Sequence, residues 1–238
     1  LEPRFKVIGC DLWSDHPDFA KQTEGTGVTG VCGSGIIECI AEMYLSGILT
    51  QDGVVDGAMA AKSPRIEADG RTFSYLLHDG TPQLRITQND VRAIQLAKAA
   101  LYAGAKLLMD RMGVDKVDRI TLAGAFGSHI DVKYAMVLGM IPDCDLAKVT
   151  SAGNAAGTGA RIALLNAKSR DEIARVVKQV EKVETAVEPK FQEHFVGAMA
   201  IPHKTAPYPH LAKAVALPAP KVAALGDDEG GRRRRRRG

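Results

Sequence analysis

Three glycine-rich stretches, each running straight into a helical pattern, constrain this 238-residue chain more than any other feature. They are Gly30-Val31-Cys32-Gly33-Ser34-Gly35, Gly124-Ala125-Phe126-Gly127 and Gly153-Asn154-Ala155-Ala156-Gly157-Thr158-Gly159. A helix N-terminus presents N–H groups without intrahelical partners and about half a positive charge. Glycine lets a phosphate or a sugar come close to that backbone. Close helix packing accounts for glycine equally well at any one turn, but three such turns in one α/β chain point to a nucleotide cleft. None matches Gly-x-x-x-x-Gly-Lys-Ser/Thr or Gly-x-Gly-x-x-Gly, so neither a P-loop nor a dinucleotide fingerprint is present.

The elements between the turns read as follows. Phe5-Lys6-Val7-Ile8 is a short strand candidate, and the spacing of Ile36, Ile37, Ile40, Met43 and Tyr44 predicts a helix that stops at Gly47. Residues 50–71 read as an Asp- and Gly-rich loop. Thr72–Leu77 and Gln83–Ile86 flank Asp79-Gly80 as a hairpin. The firmest element is a long helix from Thr87, an N-cap with Asp90 three residues on, to Met112-Gly113. Its apolar positions Ile94, Ala97, Leu101, Ala105 and Leu108 recur at helical intervals, and the small residues Ala99, Ala100, Ala103 and Gly104 predict a helix packed against other elements on several sides.

Arg119–Leu122 reads as a short buried strand, Asp131 as the cap of a helix to Leu138, and Lys148–Thr150 as a second strand. A small-residue helix follows to Leu165, then one capped by Ser169 with Glu172, then one near Phe191–Met199. The prolines between Pro202 and Pro220 predict an extended surface strap. The expected segments are 1–85 with the first glycine turn and the hairpin, 86–200 as the main lobe, 201–225 as the strap, and 226–238 as a disordered Arg-rich tail.

Charge must be read by location. The net charge of +3 includes the run Arg232–Arg237, and without it 25 cations face 28 acids. A mildly acidic body argues against nucleic acid as partner. No apolar run approaches the roughly 18 residues of a membrane span. Cys10, Cys32, Cys39 and Cys144 form no Cys-x-x-Cys pair and have no histidine at metal-ligand spacing, so no metal site is expected. Cys32 and Cys39, seven apart, suit one buried helical stripe, and free thiols fit the reducing cytoplasm. The chain opens with Leu1, which reads as a fragment or a processed product.

Ile120-Thr121-Leu122-Ala123-Gly124-Ala125-Phe126-Gly127-Ser128-His129-Ile130-Asp131 resembles the adenosine-motif strand and turn of the actin-like (ASKHA) ATPase superfamily. The resemblance is specific to the reductive activators of corrinoid proteins. Gly30–Ile37, Ile86–Val91, Ala97–Gly104, Gly139-Met140-Ile141-Pro142-Asp143 and Ser151-Ala152-Gly153-Asn154 match that family in the same order, over roughly residues 25–205.

The resemblance implies an α/β actin-like, ribonuclease H-like lobe: a mixed sheet flanked by helices, with a C-terminal extension. It implies a protein that uses ATP with Mg2+ to drive one electron into cobalt(II) corrinoid, restoring cobalt(I) in a methyltransferase system. The corrinoid belongs to the partner protein, and a homodimer is expected. The family's iron–sulfur cluster sits in a separate N-terminal ferredoxin domain; this chain lacks its cysteines. It also lacks the first phosphate loop, since Asp79-Gly80-Thr81 is a hairpin. In related activators of 2-hydroxyacyl-CoA dehydratases a cluster cysteine opens a Cys-x-x-Gly-x-Gly turn; Gly30 stands there instead, with Cys32 displaced by two.

By the same resemblance Gly124, Ala125, Gly127 and Ser128 lie under adenine and ribose, and Gln95, Lys98 and Tyr102, which share a helical face, border adenine. A solvated face is the alternative for those three. Gly33, Ser34 and Gly35 point N–H groups at phosphates or at a partner, or simply pack a helix. Gly153 and Asn154 close the lobe interface, although Asn154 also serves as an N-cap. His129 reads as a surface histidine, and no catalytic carboxylate is identified. Two other functions compete: a non-catalytic docking or dimerisation module of actin-like fold, and a small-molecule kinase of the same superfamily.

Overall fold

A computed structural model describes residues 1–219. The chain begins irregularly, with one helical turn α1 (Phe19–Gln22), and Phe5–Ile8 forms no strand. Helix α2 (Gly33–Leu45) follows, and the segment read as loop then folds into a 3-10 turn (Gly57–Ala61) and strand β1 (Ile66–Asp69). That segment was illegible because only four residues pair, and their stabilisation comes from β2 (Thr72–His78). β2 also pairs antiparallel with β3 (Leu84–Ile86), which closes the predicted hairpin as the centre of a three-stranded sheet.

Helix α3 (Gln88–Met112) starts where the sequence placed it. The Thr87 hydroxyl accepts from the Asp90 N–H at 3.2 Å, and the Asp90 carboxylate accepts from the Thr87 N–H at 2.8 Å. Such a reciprocal cap contributes about 1 kcal/mol. Next come β4 (Ile120–Ala123), α4 (Ala125–His129), α5 (Val132–Val137), β5 (Val149–Gly153), α6 (Ala155–Leu165), α7 (Ala167–Val177), α8 (Phe191–Ala198) and α9 (Pro209–Ala214). β4 and β5 pair parallel as a separate two-stranded sheet. The sheet content is thus divided between an antiparallel and a parallel unit.

One apolar core draws on α2 (Ile37, Ile40, Ala41, Met43), the hairpin (Tyr75, Ile86), α3 (Val91, Ala99) and α5 (Ala135–Leu138). It runs on through Ile201, Tyr208 and Leu211, so the proline-rich strap is part of the core rather than a surface ribbon. Leu211 sits on α9 and is fully buried. Asp143 accepts from the N–H groups of His210 (3.1 Å) and Leu211 (3.0 Å) and caps α9 from a distant loop. The tail expected at 226–238 and the end of the strap lie outside the described residues.

α3 is packed on fewer sides than its small residues predict. Val91, Gln95, Lys98, Ala99, Tyr102 and Ala103 are buried, whereas Leu101, Leu108 and Met112 face outward. α3 packs chiefly on α8. His194 meets Asp110 at 2.8 Å, and Lys106 pairs with the same carboxylate at 3.0 Å. Burial alone raises the Asp110 carboxyl, but hydrogen bonds from Lys106 and His194 outweigh it and hold the group below its ordinary value.

Two smaller corrections concern strand burial and caps. β4, expected to be buried, exposes Thr121 and Ala123, because no layer covers that face among the described residues. α7 is capped by Asn166, whose side chain accepts from the Ser169 N–H at 3.3 Å, so the Ser169–Glu172 pair falls inside the helix. Among the described residues no helix is long and apolar enough to cross a membrane.

The strap seats on a glycine. Gly139 has φ +71°, and a Cβ there would lie 2.0 Å from the Pro202 carbonyl oxygen. Gly139→Ala therefore combines left-handed strain with a backbone clash and is expected to cost about 2–4 kcal/mol. Urea unfolding of the variant beside the parent checks this; a loss within experimental error of zero would mean the strap is not seated there.

Candidate functional site

The parallel register of β4 and β5 (Ile120 opposite Val149, Leu122 opposite Ser151) brings two of the three glycine turns side by side. Both leave the carboxyl ends of parallel strands and enter helices, which is where open α/β sheets bind ligands. The Gly124 N–H donates to the Gly153 carbonyl at 2.8 Å and locks one turn to the other. The Ser128 hydroxyl donates back to the Gly124 carbonyl at 3.0 Å. The Asn154 side chain accepts from the Gly157 N–H at 2.9 Å, so Asn154 is the N-cap of α6.

The two glycines of the first turn do different work. Gly124 has φ +106°, and a Cβ built on it meets nothing within 4 Å, so its outer side is open. At Gly127 a Cβ would stand 3.1 Å from Leu122 Cβ, so that glycine lets α4 lie on β4. Ala125 opens α4 between them. Gly124, Ala125, Gly127, Ser128, Gly153 and Asn154 thus form one ledge, partly or fully exposed at Gly124, Gly127, Ser128, Gly153 and Asn154. His129 is exposed at the end of α4.

The third turn begins α2, which packs on α5 and touches α4. Cys32 lies outside the helix as its N-cap, not on a buried stripe with Cys39. Its sulfur accepts from the Gly35 N–H at 3.3 Å and lies 3.4 Å from the Ser34 hydroxyl. The Ser34 and Gly35 hydrogen bonds lower the Cys32 thiol from its ordinary value. Cys39, one face of α2 further on, is pushed up to about 12 by burial and by Glu42.

Gln95, Lys98 and Tyr102 do share a face of α3, but that face is interior, and the solvated alternative is excluded: their exposures are 2, 1 and 6%. The Gln95 amide donates to the carbonyls of Asp52 (3.0 Å) and Met199 (2.8 Å). Lys98 Nζ donates to the Ala200 carbonyl and, at 2.9 Å, to that of Pro202. Tyr102 packs against the His203 ring with centroids 5.0 Å apart. These three side chains therefore hold the 199–203 segment and are not part of the ledge formed by the other residues. Gln95 Oε1 is buried without a partner among the described residues. Sequence reasoning missed the role of Lys98 as a peg; a lone lysine between Gln95 and Tyr102 on one helical face was the available signal.

Among the described residues no group of three or more His, Cys, Asp or Glu side chains is placed to hold a metal ion. The four cysteines are free: Cys39 lies on α2 with Cys32 as its cap, and Cys10 and Cys144 lie outside the helices and strands.

The chain is similar to proteins of one family. A family model described as the C-terminal domain of RACo, the ASKHA domain, matches residues 1–212. The corrinoid activation enzyme RamQ of Eubacterium limosum is 35% identical over 183 residues, covering 72% of this chain and 31% of RamQ. A solved structure, the reductive activator for corrinoid, iron-sulfur protein, superposes with a TM-score of 0.67 at 30% identity, covering 78% of this chain and 30% of that one. The mixed helix-and-sheet fold is that of an ASKHA domain, and the chain spans about a third of the length of these relatives.

The cysteine environments predict an order of reactivity, since the thiolate is the nucleophile. Iodoacetamide at pH 7 is expected to modify exposed Cys32 well before Cys39 and buried Cys144, as read by peptide mass spectrometry. Equal rates at Cys32 and Cys39 would overturn the placement of Cys32 as an exposed cap.

Proposed function

This chain belongs to the family of RACo C-terminal ASKHA domains, and we propose that it forms the adenosine side of an ATP cleft in a reductive activator of a corrinoid protein. The observation that supports this most is the pairing of the Gly124 and Gly153 turns at the carboxyl ends of two parallel strands. Gly124, Ala125, Gly127 and Ser128 receive adenine and ribose; Gly153 and Asn154 shape the neighbouring wall. Gly33, Ser34 and Gly35, at the start of the helix that touches α4, face phosphate or the partner.

The open side of Gly124, where a Cβ would meet no described atom within 4 Å, supports this reading, and the Gly124–Gly153 hydrogen bond ties the two turns together. Preorganised backbone of this kind lowers the cost of binding. When bound, ATP with Mg2+ supplies the free energy that makes reduction of the corrinoid favourable. The residues of this chain orient the base and sugar and set which arrangement of the turns is favoured.

The electron itself takes another route. One electron from an iron–sulfur cluster in a separate ferredoxin-type domain converts cobalt(II) to cobalt(I) on the partner corrinoid protein. The reaction belongs to a reducing compartment such as the cytoplasm, which suits the four free thiols.

A second reading, a docking and dimerisation module, is favoured by one observation. α6 and α7 bury no residue, and Leu164, Leu165 and Val177 are mostly exposed there. A small-molecule kinase finds no comparable support.

Calorimetric titration of the chain with a non-hydrolysable ATP analogue and Mg2+ separates these readings. Micromolar binding is expected, with Gly124→Val weakening it about tenfold or more, or about 1.4 kcal/mol. No heat with the analogue, together with binding to a corrinoid protein, would establish the docking module instead. Phosphorylation of a small molecule without corrinoid would establish a kinase.

A further inference from the structure

Lys98 lies at the middle of α3, 1% exposed, with its Nζ on the carbonyls of Ala200 and Pro202. A neutral amine has two N–H donors, which these two carbonyls satisfy. A proton adds a third N–H and a full charge. Among the described residues no carboxylate and no third acceptor meets Nζ.

The groups facing it are few. Tyr102 comes from its own helix, and His194 from α8, already bound to Asp110. His203 and Tyr208 come from the strap. From the 50–53 loop comes Asp52, whose backbone carbonyl is taken by Gln95 and whose side chain is exposed. An uncompensated ammonium in such surroundings is strongly disfavoured.

The carbonyl that Lys98 holds is also the one seated on Gly139. Beyond it the strap is fastened again where the Tyr208 hydroxyl donates to the Ile141 carbonyl at 3.2 Å, and where Asp143 caps α9. α9 packs on α5 and on the short turn Leu146–Lys148 that leads into β5. The first fastening is thus the entry point of the whole return of the chain.

We propose that Lys98 is a proton-operated latch on the 199–211 strap: the neutral amine holds the Ala200 and Pro202 carbonyls against α3, and proton uptake loosens the strap. The latch does not depend on the nucleotide reading. Burial brings Lys98 down to about 7 from its ordinary 10.5, so the latch works near neutral pH. His203 is lowered to about 4 by burial, by Lys98 and by His194, and so stays neutral throughout this range.

The direction follows from proton binding. An open strap returns Lys98 to ordinary lysine basicity, so the open state binds more protons between about pH 7 and 10.5. Opening therefore becomes easier as pH falls through that window, and below about 6.5 His203, freed with the strap, carries the same trend further. Tyr208 in the strap and Tyr102 against His203, both raised by burial, pull the opposite way in the alkaline range. The clean range is thus pH 7–9.

Hydrogen exchange of strap peptides in the full chain, corrected for intrinsic rates, tests the latch. Strap protection is expected to rise about five- to sevenfold from pH 7 to 8 and about tenfold from 8 to 9. Lys98→Met is expected to make it nearly flat between pH 7 and 9, leaving the His203 dependence below 7. A second measurement needs no variant: the Lys98 13Cε resonance in lysine-labelled protein should titrate near 7. A 13Cε midpoint above 9, flat protection in the parent, or an unchanged pH profile in Lys98→Met would each overturn the proposal.

Discussion

The return of the chain over α3 is the interaction on which the rest of the structure depends. The 199–203 segment is pinned by Lys98 and Gln95 from one side, and by the Gln51 amide, which donates to the His203 carbonyl at 3.1 Å, from another. Ile201 donates its own N–H to the Gln51 carbonyl at 2.8 Å. Two elements distant in sequence, α3 and the loop at Gln51, therefore meet at one stretch of backbone. Buried carbonyls need partners, and leaving each unpaired costs about 1–3 kcal/mol. Here side-chain amide and amine groups supply partners where no strand is available to do so. That is why a helix otherwise rich in alanine turns its polar residues inward.

The same return fixes the candidate site at a distance. Strap and α9 rest on α5 and on the loop carrying Ile141 and Asp143, and that loop runs into β5. β5 ends in Gly153, whose carbonyl holds the Gly124 turn. The ledge is thus built on two short strands whose position is set from one side by the strap. With only two parallel strands and exposed faces, the sheet itself contributes little rigidity. The turns owe their definition to local bonds at Gly124, Ser128 and Asn154 and to the packing of α2 and α5.

How much of this was legible in the sequence depended on whether the signal was local. The Thr87–Asp90 box, the Asp131 cap and the glycine turns are complete within a few residues, and the structure places them where they were read. β1 was invisible because its four residues have no pattern apart from their pairing with β2. The Ser169–Glu172 pair misled because Asn166, three residues earlier, competes for the same N–H. The strap misled because proline density speaks to backbone conformation and not to burial: Ile201, Tyr208 and Leu211 carry it into the core. At the site, sequence order alone brought Gly124 and Gly153 into consideration, but only the parallel register places them in contact. For Gln95, Lys98 and Tyr102 spacing gave the shared face and was silent about what covers it.

The outward turn of the α3 stripe completes the physical picture. Leu101 and Leu108 are each 52% exposed and Met112 is 76% exposed, while Leu164 and Leu165 on α6 are 78 and 83% exposed. Full burial of such a side chain is worth about 1.5–3 kcal/mol, so each of these leaves roughly half or more of that unrealised. A helix bears that loss on one face only if the other face is strongly held, and α3 is held by the polar pegs, by α8 and by the Asp110 cluster. The exposed apolar residues are therefore not a folding defect. They are stabilisation the domain does without, because its core is closed by hydrogen bonds to the strap instead.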